Sequence, residues 1–211
     1  MITRIGWYPI PGMLFSLTAL VAAYLLGSLS AAILVCRICG FGDPRTVGSG
    51  NPGATNVLRA FGKAAAAATL AGDVAKGFVP VLIAKFVGAA PLVVAGVGVA
   101  AFLGHLFPVF FGFRGGKGVA TLIGVLFGID WRLGGAFIGT WLAVAAITRY
   151  SSLSALVASL LAPAAALWLG QPPAVALALL GMTALVFWRH ESNIRKLVAG
   201  TESRIGKKKS A

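Results

Sequence analysis

Residues 12–36, GMLFSLTALVAAYLLGSLSAAILVC, form an apolar run without a charged side chain. The run exceeds the h-region of a cleavable signal peptide, so it predicts a retained first membrane span. Six more apolar segments follow, at residues 64–88, 90–111, 118–130, 133–148, 153–170 and 172–188. We therefore predict an all-α integral membrane protein, a compact bundle of about seven transmembrane helices in a single domain over residues 1–211.

The composition supports a membrane protein. Hydrophobic residues make up 58% of the 211 residues, and the mean hydropathy is +0.91. A water-soluble domain with so many hydrophobic residues would have to expose a large part of them to water. Segment 118–130 would be only about 20 Å long as a helix. Residues 118–148 therefore form either two full spans or a re-entrant pair, which would leave five complete spans.

The basic residues are distributed unevenly between the loops. If the N-terminus lies outside, fourteen of the eighteen Lys and Arg residues fall on the inner side, in loops at 37–63, 114–117 and 149 and in the tail. The outer loops then carry only Arg4 and Arg132. The positive-inside rule predicts that the N-terminus is outside and the C-terminus cytoplasmic, with a basic tail from about residue 189.

A glycine-rich polar loop interrupts the apolar chain at residues 48–56, GSGNPGATN. Glycines allow several backbone N–H groups to turn toward one point, which makes a site for anions. Neutral donors and two flanking arginines add to this site, and phosphate is the ligand they favour. The candidate residues are Arg45, Gly48, Ser49, Gly50, Asn51, Gly53, Thr55, Asn56 and Arg59.

A second such loop, GFRGGKG, occupies residues 112–118 and leads directly into a helix that begins at Val119. A helix N-terminus behind a Gly-Lys turn attracts anions. An alternative is that its basic residues only set the topology. All the Gly- or Ser-rich polar clusters, at 43–59, 112–118, 149–152 and 189–206, are predicted on the cytoplasmic side. A basic, glycine-rich face of this kind is typical of an active site at the membrane surface.

Familiar motifs do not account for these loops. Gly48, Gly50 and Gly53 match a dinucleotide fingerprint, but no strand precedes them. The second loop lacks the spacing of a Walker A motif. Neither histidine is followed by aspartate after four residues, the pattern of soluble glycerolipid acyltransferases. His105 is expected to be a packed, hydrogen-bonded helix residue, whereas His190 is a better site candidate.

Other charged and sulfur-containing residues are given structural roles. Asp73 and Lys76 lie on one helical face and are expected to pair, because an unpaired charge in the membrane is costly. Cys36 and Cys39 form a lone C-x-x-C without further ligands, so no metal site is predicted. The net charge of +13 suits anionic lipids or phosphorylated metabolites. Nucleic acid is a poor partner, because the basic residues form no soluble patch.

These motifs together resemble one known family, the bacterial acyl-phosphate:glycerol-3-phosphate acyltransferases (PlsY). The resemblance covers nearly the whole chain. It rests on Arg45 with GSGNPGATNVLR at 48–59, on GHLFP at 104–108 with FRGGKGVAT at 113–121, and on RHESNI at 189–194 with Gly200 and Glu202. Residues 73–77, DVAKG, match a further element of the family.

The resemblance implies a seven-helix enzyme of the bacterial cytoplasmic (inner) membrane. It would transfer an acyl group from acyl phosphate to glycerol 3-phosphate, giving lysophosphatidic acid, without a cofactor. The first loop would bind the donor phosphate through its amides and polar side chains. Glycerol 3-phosphate would be held by Arg59, Lys117, Ser152, His190 and Asn193, and its phosphate by the second loop with Gly115, Gly116 and Gly118. Ser49, Arg59, Lys117, His190 and Asn193 are the expected catalytic group.

Two other functions are compatible with parts of the sequence. A transporter or channel for an organic phosphate also uses broken helices and glycine-rich loops near basic residues. It predicts polar residues running through the bundle, whereas the polar clusters here are expected on one side. A non-catalytic membrane scaffold would leave the paired loops unexplained. Acyl-chain preference and oligomeric state are not set by these patterns.

Overall fold

A computed structural model describes residues 12–206 of the chain. Over these residues the fold is entirely helical, and a single 3-10 turn, Val109–Phe111, follows α5. The ten α-helices are α1 Met13–Gly27, α2 Ala31–Ile38, α3 Ala54–Phe61, α4 Lys63–Phe86, α5 Pro91–Leu106, α6 Val119–Ile129, α7 Trp131–Thr148, α8 Ser151–Trp168, α9 Pro173–Arg189 and α10 Glu191–Val198. The predicted all-α membrane bundle is confirmed.

Four helical segments are long and apolar enough to cross a membrane: α4, α5 with its 3-10 turn, α7 and α8. The pairs α1–α2 and α9–α10 each qualify as one span that bends, by 46° and 61°. With the short apolar helix α6, these account for the seven predicted segments. A helix of eleven residues is only about 16 Å long, so α6 is too short to cross the hydrocarbon layer alone.

The break between α1 and α2 was not predicted, because residues 12–36 form one long apolar run without a charged side chain. The Ser28 hydroxyl donates to the carbonyl of Tyr24, and Ser30 starts the second helix. Gly27 lies directly against the backbone of Ala101 in α5, so the end of α1 is fixed at a close helix contact. Gly62 likewise separates α3 from α4.

The short helix α6 lies between α4 and α7 and packs against both. A Cβ atom on Gly124 would overlap the carbonyl oxygen of Val74, which shows how closely the α4 and α6 backbones approach. Phe102, Leu122 and Leu126 are fully buried beside this contact. Large apolar side chains such as Phe86 and Trp168 are 91% and 85% exposed, as expected of a surface that faces lipid.

The four polar clusters converge at one end of the bundle, which we call the loop face: the loops at 39–53, 107–118 and 149–150 and the segment 199–206. Arg45 donates to the carbonyl of Phe111 at 3.1 Å and so joins the first two loops. The amide of Ile205 donates to the carbonyl of Arg149 at 2.7 Å and joins the last two. The sidedness of this face stays a prediction, and Arg4 and Lys207–Lys209, used for it, lie outside the described residues.

Candidate active site

A cavity of about 370 Å³ opens at the loop face, and we call it the central cavity. Its polar and glycine lining comes from the first loop, α3, the end of the second loop, the start of α8 and the segment around α10, with one residue each from α4 and α5. These residues are Ser49, Asn51, Gly53, Thr55, Asn56, Arg59, Asp73, His105, Lys117, Gly118, Ser151, Ser152, His190, Asn193, Glu202 and Ser203. The structure therefore gathers all five of the expected catalytic residues in one place.

Three helices begin at the central cavity. Ala54 and Thr55 open α3, Val119 and Ala120 open α6, and Ser152 lies in the first turn of α8; all of these residues line the cavity. The first amides of a helix have no partner within it, and the helix dipole is positive at that end. The cavity therefore receives three sets of positive partial charge in addition to the charges of Arg59 and Lys117. This is an environment for anions.

Gly118 makes the start of α6 possible. Its φ of +87° is in the left-handed region, which favours glycine. A Cβ atom there would also overlap the ring of Phe102, which packs directly under the residue. The tight turn places Lys117 in the cavity and directs the first amides of α6 into it.

A chain of polar side chains crosses the cavity. The Ser152 hydroxyl donates to Oε1 of Glu202 at 2.8 Å, and Nδ2 of Asn193 donates to the same oxygen at 2.7 Å. Oδ1 of Asn193 in turn accepts a hydrogen bond from the Lys117 ammonium group. These bonds fix the Asn193 amide orientation and connect α8, α10, the final segment and the second loop.

Two titratable groups that line the cavity are Lys117, in the second loop, and His190, at the break between α9 and α10. Burial lowers the pKa of Lys117 to about 8, although the nearby Glu202 carboxylate acts in the opposite direction. Burial, together with the Lys117 charge, lowers the pKa of His190 to about 4. At neutral pH Lys117 is therefore mostly charged and His190 is neutral.

The hydrogen bonding of His190 determines which ring nitrogen carries the proton and which one can accept a hydrogen bond. Nδ1 lies 2.8 Å from the carbonyl oxygen of Val186, and a carbonyl can only accept, so Nδ1 carries the proton. In the neutral ring Nε2 then has a free lone pair. His190 can accept a hydrogen bond from a substrate hydroxyl.

The first loop is held in shape by Asn56, which is 3% exposed. Its Oδ1 accepts from the Ser49 amide at 2.9 Å, and its Nδ2 donates to the carbonyls of Pro44 and Val47. Gly48 packs against the same side chain. These contacts use the polar groups of Asn56 within the loop. Asn56 and Gly48, predicted as substrate ligands, therefore shape the loop.

The structure also gives the glycines of the second loop a different role from the predicted one. The amides of Gly115 and Gly116 donate to the carbonyls of Leu106 and His105 at 3.2 Å, so they are not free to bind a phosphate. Neither glycine lines the central cavity. Their carbonyls accept from Arg189 at 2.7 and 3.1 Å. This pair positions Lys117 and Gly118, which do line it.

Two further predicted ligands lie elsewhere on the loop face. Arg45 and Gly50 do not line the central cavity but a second cavity beside it. Arg45 pairs with Asp43 at 2.7 Å, and this contact lowers the Asp43 pKa. The first loop thus divides its candidate residues between two cavities.

A buried charged group forms part of the cavity wall within the membrane. Asp73 pairs with Lys76 at 2.8 Å, as expected from their spacing, and Nδ1 of His105 lies 3.5 Å from the same carboxylate oxygen. Lys76 also donates to the carbonyl of Leu29 at 2.8 Å, at the break between α1 and α2. His105 is packed in its helix, as predicted, but both it and Asp73 line the cavity.

The remaining cavity wall is apolar. It is formed by Leu70 of α4, Ile123 of α6, and Ile138, Trp141 and Leu142 of α7. Leu70 and Leu142 are also 45% and 56% exposed, so the cavity reaches the outer surface of the bundle where α6 lies between α4 and α7.

Within residues 12–206, no group of three or more His, Cys, Asp or Glu side chains is arranged to hold a metal ion.

Comparison with known proteins explains this combination of features. Residues 17–200 match the family described as glycerol-3-phosphate acyltransferase. The chain belongs to this family. The glycerol-3-phosphate acyltransferase of Thioalkalivibrio sulfidiphilus is 56% identical over 197 residues, which cover 93% of this chain and 97% of that protein. The enzyme of Hydrogenovibrio crunogenus is 53% identical, with 92% and 94% covered.

A solved structure also resembles this acyltransferase. The crystal structure of PlsY (YgiH), an integral membrane glycerol 3-phosphate acyltransferase, in its glycerol 3-phosphate form matches with a TM-score of 0.87 and 39% identity, over 91% of this chain and 96% of that one. Its lysophosphatidic acid form matches with a TM-score of 0.86. The predicted family and the predicted enzyme class are confirmed.

Several residues of the acyltransferase cavity were not among the sequence candidates. Glu202 was noted only as part of a matching motif, and its two hydrogen bonds depend on a turn that the sequence does not reveal. Asp73 and His105 were given structural roles. The apolar wall had no signal at all, because Leu70, Ile123 and Trp141 belong to segments in which nearly every residue is apolar.

Proposed function

We propose that this acyltransferase transfers a fatty acyl group from acyl phosphate to the sn-1 hydroxyl of glycerol 3-phosphate, giving lysophosphatidic acid and inorganic phosphate. The observation that carries the proposal is the convergence of three helix N-termini, Arg59 and Lys117 on a cavity whose other wall is apolar and opens at the side of the bundle. Two anions that repel each other need such a positive site, and an acyl chain needs such an opening.

The polar residues of the cavity divide naturally between the two substrates. The first loop and the start of α3, with Ser49, Asn51 and Thr55, would bind the phosphate of the donor. Arg59, Lys117, Ser152, His190 and Asn193 would bind glycerol 3-phosphate. The Asn193 amide is oriented before substrate arrives, because Glu202 and Lys117 fix it on both sides. Such pre-orientation reduces the entropic cost of bringing the substrates together.

The apolar wall would accommodate the acyl chain. Leu70, Ile123 and Leu142 lie between the phosphate-binding end of the cavity and the outer surface of the helices. The carbonyl carbon can then sit at the polar end while the rest of the chain lies in or beside the lipid. Membrane lipid is accordingly the expected surrounding partner, and the donor need not be extracted into water.

The reaction forms a bond between the glycerol oxygen and the acyl carbonyl carbon and breaks the bond from that carbon to the phosphate oxygen. His190 Nε2 can orient the attacking hydroxyl. A group with a pKa of about 4 is, however, a weak base, and a phosphate group has a second pKa of about 6. The leaving phosphate is therefore the better acceptor for the proton, and the first loop with the N-terminus of α3, which would bind the donor phosphate, stabilises its charge.

We further propose that the protein resides in the bacterial cytoplasmic (inner) membrane with the loop face toward the cytoplasm. The distribution of basic residues supports this orientation. Water-soluble glycerol 3-phosphate would then reach the central cavity from the cytoplasm, while the donor enters from the side.

An organic-phosphate transporter or channel was the alternative that the sequence left open, and reconstitution tests it directly against acyl transfer. Purified protein in liposomes is given labelled glycerol 3-phosphate, with and without acyl phosphate. We expect labelled lysophosphatidic acid and an equal amount of phosphate only when acyl phosphate is present. Accumulation of unmodified glycerol 3-phosphate inside the liposomes, without product, would instead support transport.

A further inference from the structure

A second cavity, of about 490 Å³, lies beside the central cavity on the loop face. It is lined by Asp43, Arg45, Thr46, Gly50, Pro52, Phe113, Arg114, Gly115 and Arg189, and we call it the arginine cavity. The reaction described above uses none of its side chains.

Three chain segments form the wall between the two cavities. In the first loop Ser49 lines the central cavity and the next residue, Gly50, lines the arginine cavity. At the end of α9, Arg189 lines the arginine cavity, whereas the next residue, His190, lines the central one. The second loop changes sides between Gly115, which lines the arginine cavity, and Lys117, which lines the central one. The wall is therefore one backbone thick at these points.

The arginine cavity is strongly cationic. It has three arginines and one aspartate, a formal charge of two positive. Its lining includes only two apolar side chains, Pro52 and Phe113. An acyl chain would find little surface there, and a small anion is the ligand that this charge favours.

Two of the guanidinium groups are already held in place. Arg45 binds Asp43 and the carbonyl of Phe111, and Arg189 binds the carbonyls of Gly115 and Gly116. A guanidinium has five N–H donors, more than these contacts use. Arg114 is exposed, its backbone amide donates to the carbonyl of Phe111 at 3.5 Å, and its guanidinium makes no hydrogen bond within residues 12–206. The cavity thus offers fixed, unsaturated donors of the type that binds phosphate.

We propose that the arginine cavity is a second phosphoryl-binding site, separate from the site of acyl transfer. Its ligand is a phosphate oxyanion, either free inorganic phosphate, which the proposed reaction releases one backbone away, or the headgroup of an anionic lipid. A phosphoryl group bound there leaves both substrate positions of the central cavity free. The choice of free phosphate as ligand rests on the proposed function, but binding itself does not.

Equilibrium dialysis of the purified protein against radiolabelled inorganic phosphate tests the proposal. Two sites per chain are expected for the wild type, and Arg114→Glu should weaken one of them about tenfold or more. Arg37→Glu is the matched control, because Arg37 is exposed on α2 and lines neither cavity; it should retain both sites. A single site in the wild type, or two unchanged sites in Arg114→Glu, would overturn the proposal.

Two further measurements are needed. One distinguishes free phosphate from a lipid headgroup as the ligand, and the other distinguishes failure of this proposal from failure of the proposed acyl transfer. The first uses nanodiscs of anionic phosphatidylglycerol or of zwitterionic lipid. If lipid headgroups are the ligand, phosphatidylglycerol should displace the second phosphate and zwitterionic lipid should not. If free phosphate is the ligand, the second phosphate should stay bound in both lipids. Turnover of Arg114→Glu at low phosphate should equal that of the wild type. Loss of the second site with normal turnover supports the inference, and absence of turnover in every variant would contradict the proposed function alone.

Discussion

The ring of His105 occupies the space that a side chain on Gly116 would need. A Cβ atom added to Gly116 would overlap Nε2 of this ring, while the Gly116 amide donates to the His105 carbonyl at 3.2 Å. The same ring lies beside Asp73 within the membrane. The second glycine-rich loop is thereby fixed against α5, and the position of the next residue, Lys117, depends on it.

Gly116→Ala should therefore reduce both stability and acceptor binding. Overpacking against the buried His105 ring costs about 1–3 kcal/mol, and a shift of the loop moves Lys117. We expect a lower Tm and a KM for glycerol 3-phosphate that rises far more than the KM for acyl phosphate. Gly139→Ala is the control, because nothing lies within 4 Å of the added atom. Wild-type values for both variants would contradict this role of His105 and Gly116.

Arg59 lines the central cavity, and we expect its planar guanidinium to make paired hydrogen bonds to a substrate phosphate. Lysine keeps the charge but not this geometry, so Arg59→Lys should be nearly as damaging as Arg59→Ala. Loss of a charge-assisted bond of about 1.5–3 kcal/mol lowers kcat/KM by about tenfold to about a hundredfold. Arg37→Lys should have no effect. Near-normal turnover of a correctly inserted Arg59→Lys enzyme would remove Arg59 from the site.

The lowered pKa of Lys117 predicts a pH dependence of acceptor binding. The ammonium group is charged below its pKa of about 8 and loses its charge as the pH rises through that value, so KM for glycerol 3-phosphate should increase above pH 8. The substrate is already a dianion there, because the second pKa of a phosphate monoester is about 6.

Two variants make this assignment specific. The Glu202 charge raises the pKa of Lys117, and the Lys196 charge lowers it. Glu202→Gln should therefore move the inflection to lower pH, and Lys196→Gln should move it in the opposite direction. An inflection that is the same in both variants belongs to another group.

The predicted orientation can be tested by cysteine labelling in intact cells. In a variant without Cys36 and Cys39, single cysteines at Ser203 on the loop face and at Gln171, between α8 and α9, should behave oppositely. We expect an impermeant reagent to label the second position from outside and the first only after lysis. External labelling at Ser203 would place the central cavity on the outer side of the membrane.

The sequence predicted the helical bundle and the common location of its polar loops, because long apolar runs and basic loops are strong local signals. Through the family resemblance it also predicted that Ser49, Arg59 and His190 share one site. It did not predict the break at Ser28–Ser30, which no charged residue marks and where a tertiary contact of Gly27 decides the geometry. Helix packing and turn geometry, which lie outside any one motif, set these features.

Helix packing and turn geometry also explain why Gly115 and Gly116 do not have the phosphate-binding role that the sequence predicted. A run such as GFRGGKG indicates tight turns but not which amides remain free. In the structure the amides of Gly115 and Gly116 are used by α5, and the amides directed at the cavity are the first ones of α3 and α6. Arg45 and Arg59 flank one loop but line different cavities. The loop lies between the two cavities, so that Ser49 lines one and Gly50 the other.

The choice of acyl donor tests the central claim most directly. Purified protein is given glycerol 3-phosphate with equal concentrations of acyl phosphate, acyl-CoA or acyl carrier protein bearing the same chain, and lysophosphatidic acid is measured. A site built from helix N-termini, with the leaving phosphate accepting the proton, predicts product from acyl phosphate alone, with one phosphate released per product. Equal turnover with acyl-CoA or acyl carrier protein, or no turnover with acyl phosphate, would contradict the account.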